Sequence, residues 1–196
     1  MKKCLLMAIM VLIGQVVFAQ SQSHTYNVFY NEKNVGKMLI TKTGNDQDCV
    51  IRLNFTANFN VVLKSILIEG QEEAMFEKGI LKYSTVLRKV NGKVRTNKQT
   101  RIANGTYSGV DEGTVQSVDV PEIRSNFLSI LFFEPVGRQH IYADNLLQNV
   151  KVVNKSAHTY QIPLRNGSYN QYTYVNGKCA AIELNTPFLK LKLKRI

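Results

Sequence analysis

The residues of this chain that could do chemistry are few and scattered. His24, His140 and His158 have no second histidine or cysteine at metal-ligand spacing. No Gly-x-Ser-x-Gly elbow presents a nucleophile, and no glycine-rich loop is built to cradle phosphate. Glu134 and Asp144 are two carboxylates that folding could bring beside His140 in one cleft, but nothing in their spacing demands it. Glu134, next to Pro135, reads as a helix-end carboxylate. The sequence therefore predicts no enzyme, no catalytic residue, no metal and no cofactor.

Two other features could serve binding. From Lys78 to Val110 there are eight basic residues, Lys78, Lys82, Arg88, Lys89, Lys93, Arg95, Lys98 and Arg101, and no acidic one. As a hairpin, this stretch is either a solvated projection or an anion-binding patch, with Lys89, Lys93, Arg95, Lys98 and Arg101 as its contacts and an anionic envelope glycolipid as its partner. Nucleic acid is disfavoured, because base-stacking surfaces want several aromatics and this stretch has few. Tyr169, Tyr172 and Tyr174 form an aromatic run. Tyr172 and Tyr174 share a strand face, where they either pack as ordinary strand aromatics or line a pocket.

The start of the chain is MKK, followed by an apolar run from Cys4 to Phe18 and then Ala19. A basic start, an apolar middle and a small-residue end make a secretory signal peptide over 1–19, cut between Ala19 and Gln20. The apolar run, interrupted by Gln15, is shorter than the ~20 residues that span a bilayer, and no later segment could cross one. The expectation is an exported protein, periplasmic or secreted, with 20–196 as a single domain. Without Lys2 and Lys3, the formal charge of +11 falls to +9, still enough to draw the chain to anionic surfaces. Export permits a disulfide. Cys49 and Cys179 are its two candidates, the alternative being two separate buried thiols.

Strands must position these residues. Ile51, Leu53, Phe55, Ala57 and Phe59 alternate with Arg52, Asn54, Thr56 and Asn58, the pattern of a half-buried antiparallel strand. Val61 to Ile68 reads as a buried strand or a short helical turn. Asn-Gly pairs at 91–92, 104–105, 166–167 and 176–177 are hairpin signals, because a type I′ turn needs positive φ at both central residues. In the last strand, Leu189, Leu191 and Leu193 share one face, and Lys190, Lys192 and Lys194 protect the other face or an edge. The fold class is mainly β: a strongly curved antiparallel sheet or barrel of sequential hairpins.

One helix is expected within it, over 121–133. Pro121 suits its first position, and Glu122 meets the positive end of its dipole. Ile123, Phe127, Ile130 and Leu131 fall on one face, with Glu122, Ser125, Asn126 and Ser129 on the other. Pro135 ends it. Its stripe either plugs the β-structure or lids a cavity, with Phe127, Ile130, Leu131, Tyr172 and Tyr174 as the lining of a site for a lipid or other apolar ligand.

Three segments carry a resemblance. These are the opening YNVFYNEKNVGKM (Tyr26 to Met38), the segment from Phe133 to Gly137, and the ending Tyr172 to Gly177. Together they resemble a domain-of-unknown-function family of secreted Bacteroidota proteins, each about this long. The resemblance covers nearly all of the chain after the signal peptide. It implies an envelope or secreted location and a mostly β fold, and it brings no activity and no catalytic residues. The expected role is non-enzymatic: binding an apolar or amphiphilic ligand under the helix or, alternatively, contacting anionic surfaces of the envelope through the basic hairpin.

Overall fold

The computed structural model describes residues 21–61 and 64–196. The expected signal peptide and its expected Ala19–Gln20 cleavage point lie outside the described residues. Two meanders make up one antiparallel sheet. The first runs through β1 (Ser21–Tyr30), β2 (Lys33–Gly44), β3 (Cys49–Val61), β4 (Lys64–Glu77), β5 (Ile80–Val90), β6 (Lys93–Ala103), β7 (Thr106–Asp111) and β8 (Thr114–Val118). A connection carrying the small hairpin of β9 (His140–Ala143) and β10 (Gln148–Lys151) follows. The second meander is β11 (Val153–Ser156), β12 (Thr159–Pro163), β13 (Tyr169–Val175), β14 (Lys178–Asn185) and β15 (Lys190–Arg195).

β15 returns to pair with β1, Val28 opposite Leu193. The two meanders thereby become a single 13-stranded sheet ordered β11-β12-β13-β14-β15-β1-β2-β3-β4-β5-β6-β7-β8. β8 and β11 are its edges, so the sheet is open and the barrel alternative is not realised. The stretch from Val61 to Ile68 resolves into the β3–β4 hairpin, with Val61 paired to Lys64. Asn91-Gly92, Asn104-Gly105 and Asn176-Gly177 turn between paired strands with positive φ at both residues, as a type I′ turn requires.

The alternation of β3 holds: Ile51, Leu53, Ala57 and Phe59 are buried, while Arg52, Asn54, Thr56 and Asn58 are exposed. With Tyr26, Val28, Ile40, Leu191 and Leu193 they belong to one continuous core. β15 is an interior strand, paired on both sides. Its lysines therefore solvate the outer face and do not guard an edge.

The helix over 121–133 does not form. Only Ser129–Leu131 takes a single 3-10 turn, and Asn126 makes an isolated bridge to Tyr142. Two causes are visible. Asn126 Oδ1 accepts from the Ser129 N–H at 2.9 Å, and Ser129 Oγ donates to the Asn126 carbonyl at 3.0 Å; such side-chain bonds compete with helical ones. In addition, Ser125, Asn126 and Ser129, three of the four residues of the expected polar face, are buried along with Leu128, Ile130 and Leu131, while Glu122 stays exposed. A stretch buried on both faces from Ser125 to Leu131 needs no amphipathic helix.

The connection lies across the apolar face of the sheet and is pinned there by tyrosines. Tyr107 hydroxyl donates to the Leu81 carbonyl at 2.8 Å and accepts from the Ile123 N–H at 3.3 Å. Tyr174 donates to the Ile130 carbonyl at 2.7 Å, and Tyr142 pairs with Thr100 at 2.9 Å.

Cys49 and Cys179 are free, each buried, so the disulfide reading fails and the two-thiol alternative holds. They open β3 and β14, which are not neighbours in the sheet.

Replacing Tyr107 by Phe removes one hydroxyl that serves two buried backbone groups. The expected loss is about 1–3 kcal/mol, measured by urea unfolding, with the midpoint falling and the slope unchanged. A variant as stable as the parent would show that Tyr107 does not pin the connection.

Candidate functional site

A cavity of about 320 Å³ lies between the sheet and the connection. One wall is Met38, Leu53, Phe55 and Ile68 from β2, β3 and β4. The facing wall is Tyr172, Ile182, Leu184, Leu191 and Leu193 from β13, β14 and β15. Phe127, Leu128 and Leu131 of the connection close over it. β13 and β5 are seven places apart in the sheet, roughly 34 Å if it were flat. Yet Tyr172 and Arg88 border the same small cavity, so the sheet curls over on itself.

Gly70 leaves a gap in the lining. It sits between Phe55 and Arg88 in the ladder. A Cβ there would meet nothing closer than Phe55 Cβ at 3.5 Å.

The polar part of the lining is small. Arg88 Nε and Nη2 both donate to Oε1 of Glu72, at 2.9 and 2.6 Å. Glu72 is nearly buried, its side chain 7% exposed, whereas Arg88 keeps 40%. Arg88 itself borders the cavity. The Glu72 carboxylate pushes Arg88 further above its already high range. Asn145 also lines the cavity, and its Oδ1 is buried without a partner.

Next to Asn145, Asp144 is 3% exposed and accepts from Asn126 Nδ2 at 3.0 Å. Its other oxygen and the nearby Ser84 hydroxyl are both buried with no hydrogen bond of normal geometry. Burial pushes the Asp144 carboxyl up to about 6, against the partial help of Ser84 and Asn126.

Of the residues that the sequence assigned to a ligand, Phe127, Leu131 and Tyr172 line the cavity. Ile130 and Tyr174 do not. They bond to each other beside it and anchor the connection. The structure divides the basic stretch. Lys93, Arg95 and Arg101 are exposed, and Lys89 is half-buried. Lys98 pairs with Asp111 at 2.8 Å. Arg88, grouped by sequence with this outer charge, points inward.

The carboxylate and histidine cluster also differs from the expected one. Glu134 is held by Tyr160 at 2.9 Å and by His158 at 3.0 Å. His140 is exposed, and no hydrogen bond joins it to Glu134 or Asp144. Among the described residues no group of three His, Cys, Asp or Glu could hold a metal ion.

Glu72, Arg88 and Gly70 went unrecognised, although one signal was available. Along β4 the core face reads Ile66, Ile68, Gly70, Glu72, Ala74, Phe76. A glycine and a glutamate interrupt an apolar row, which marks either a gap or a polar group turned inward.

The raised Asp144 carboxyl predicts a pH dependence. An unfolded aspartate titrates near 3.9, so between about pH 4 and 6 the folded chain holds the proton more tightly than the unfolded one. Stability from this group is full below about pH 4 and is lost as pH rises through 6, a difference on the order of 3 kcal/mol. Asp144→Asn should remove it. Urea unfolding at pH 4.5 and 7.5 should show the variant gaining on the parent at the higher pH. An equal difference at both values would mean that Asp144 ionises without cost.

No curated protein matches this chain. Residues 26–196 match the family described as domain of unknown function DUF6134. That span includes every strand from β2 to β15, the second half of β1 and the whole cavity, and the chain belongs to this family.

Proposed function

We propose that the protein is an exported, non-enzymatic binding protein that encloses one apolar or amphiphilic molecule in the cavity between its sheet and the connection. The observation that carries this reading is the lining: about 320 Å³ bordered mostly by Leu, Ile, Met and Phe, with a few polar groups among them. Ligand sites in proteins have this composition and occupy roughly 300–1,000 Å³. The signal-like start of the chain and its resemblance to secreted Bacteroidota proteins support a periplasmic or secreted location.

Native mass spectrometry of the protein purified gently from periplasm should show extra mass that denaturation releases. Gly70→Leu should reduce that mass without loss of fold. The backbone at Gly70 is not in the left-handed region, and a Cβ there meets no neighbour too closely. A bare parent protein that also fails to take up an apolar fluorescent probe would overturn the proposal.

A second reading has its own observation. Lys93 and Arg95 are exposed at the tip of the β5–β6 hairpin, and Val94 beside them is 52% exposed. Such a tip suits an anionic envelope glycolipid, with attraction that salt screens. The double substitution Lys93→Glu, Arg95→Glu should abolish sedimentation with lipopolysaccharide vesicles at low salt. Equal sedimentation of parent and variant removes this reading.

A further inference from the structure

We infer that the end of the sheet at which the cavity opens is a docking face for an anionic phospholipid bilayer, with Phe188 as the residue that enters the lipid. This rests on the ligand-binding reading above for the role of the mouth, while docking itself is measured without any ligand. The lining locates the mouth. Leu164 lies between β12 and β13, and Thr186 and Leu189 belong to the turn between β14 and β15. In an antiparallel sheet of this order, these two connections share one end with the β1–β2, β3–β4, β5–β6 and β7–β8 turns. The tyrosine pins lie toward the opposite end: Leu81 is near the start of β5, Tyr107 near the start of β7 and Tyr174 near the finish of β13. The connection is thus fastened at one end of the curled sheet, and the cavity opens toward the other.

Phe188 stands at that mouth. It is 93% exposed, the most exposed large hydrophobic residue among those described. A single exposed apolar side chain needs no explanation by itself, but the setting of this one does. Thr186 and Leu189, on either side of its turn, line the cavity. The turn is held closed: the Thr186 N–H donates to the Leu189 carbonyl at 2.9 Å, and the Leu189 N–H donates to Thr186 Oγ1 at 2.9 Å. Pro187 restricts φ next to Phe188. The ring is therefore carried by a closed turn and not by a loose loop. An aromatic ring presented in this way suits the headgroup and acyl boundary of a bilayer.

Charge complements the ring. Arg165 and Lys190 are exposed on the two connections that line the cavity, and Lys33, Lys64, Lys93 and Arg95 are exposed beside the other turns at this end. Against them stand the exposed carboxylates Glu32 and Glu112. At the opposite end Asp46, Asp48, Glu77 and Glu122 are exposed among Lys78, Arg124 and Lys178. The mouth therefore meets an anionic surface with an excess of cations around one aromatic ring. An amphiphile then passes between bilayer and cavity along Leu189 without crossing water.

The experiment is flotation of the mature protein with vesicles of equal parts phosphatidylethanolamine and phosphatidylglycerol at low salt. The parent should float with these and not with phosphatidylcholine vesicles. Phe188→Ser should weaken partitioning by about tenfold, the factor that burial of a Phe side chain recovers at least. Arg165→Gln with Lys190→Gln should weaken it by roughly thirtyfold, at about fivefold for each basic residue near the surface. Lys78→Gln with Lys178→Gln, the same charge change at the far end, should stay within a few fold of the parent. All these side chains are exposed, so the variants should fold. No flotation of the parent, flotation that Phe188→Ser leaves unchanged, or an equal loss from both lysine and arginine pairs overturns the docking inference and leaves the binding reading intact. Association with lipopolysaccharide alone assigns the face to the glycolipid, and a dimer that Phe188→Ser dissociates assigns it to a second copy. Either result also overturns the inference. A parent that floats as expected, yet carries no extra mass and takes up no apolar probe, overturns the binding reading alone.

Discussion

Everything in this molecule depends on covering one apolar sheet face. Joining β1 to β15 merges two meanders into 13 strands, and the inward residues of nearly all of them form a single surface. Such a surface is unstable in water, at roughly 25 cal/mol per Å², and among the described residues no large second sheet or long helix packs on it, only the connection with its small β9–β10 hairpin. The protein solves this in two ways. The sheet curls so that β2–β4 face β13–β15, and the one long connection between the meanders is drawn into the remaining gap.

That connection explains why the helix expected there is absent. Helical amphipathicity is a solution for a segment with one wet side. Here both sides are dry, and the polar groups of Ser125, Asn126 and Ser129 must find partners among themselves and Asp144. Local turns do this, and tyrosine hydroxyls from the sheet serve backbone groups that regular structure would have satisfied. The stripe at helical spacing was real, but it reported burial and not helix.

The legible and illegible parts of the sequence separate along the same line. Alternation in β3 and β15 shows which side of each strand is buried, because one face there is uniformly apolar. The Asn-Gly turns give the hairpin order directly. β5 is different. Its inward row of Ser84, Val86 and Arg88 is no more apolar than its outward row of Tyr83, Thr85 and Leu87, so composition alone cannot orient it, and Arg88 was grouped with the outer lysines. Its inward direction follows from the register, in which Gly70 stands opposite both Phe55 and Arg88. Sequence identified part of the cavity lining for the right reason. Phe127, Leu131 and Tyr172 are large apolar or amphipathic residues on buried faces. It could not separate them from Ile130 and Tyr174, whose roles are fixed by one hydrogen bond across 44 positions.

The Glu72–Arg88 pair is costly in the place where it sits. An ion pair removed from water seldom recovers its desolvation, and apolar residues of like volume would often serve stability as well or better. Gly70 next to it withholds a side chain where one would fit. A wall optimised for stability alone would replace all three with well-packed aliphatics and close the cavity. Instead, charge and open volume occur together on adjacent strands, in a lining that is mostly apolar but also carries Glu69, Asn145, Asn170 and Thr186. Stability alone gives no reason to keep an ion pair and a missing side chain side by side in an apolar wall, whereas the proposed site for an amphiphile would use both, the open volume for an apolar body and the charged pair for a polar group.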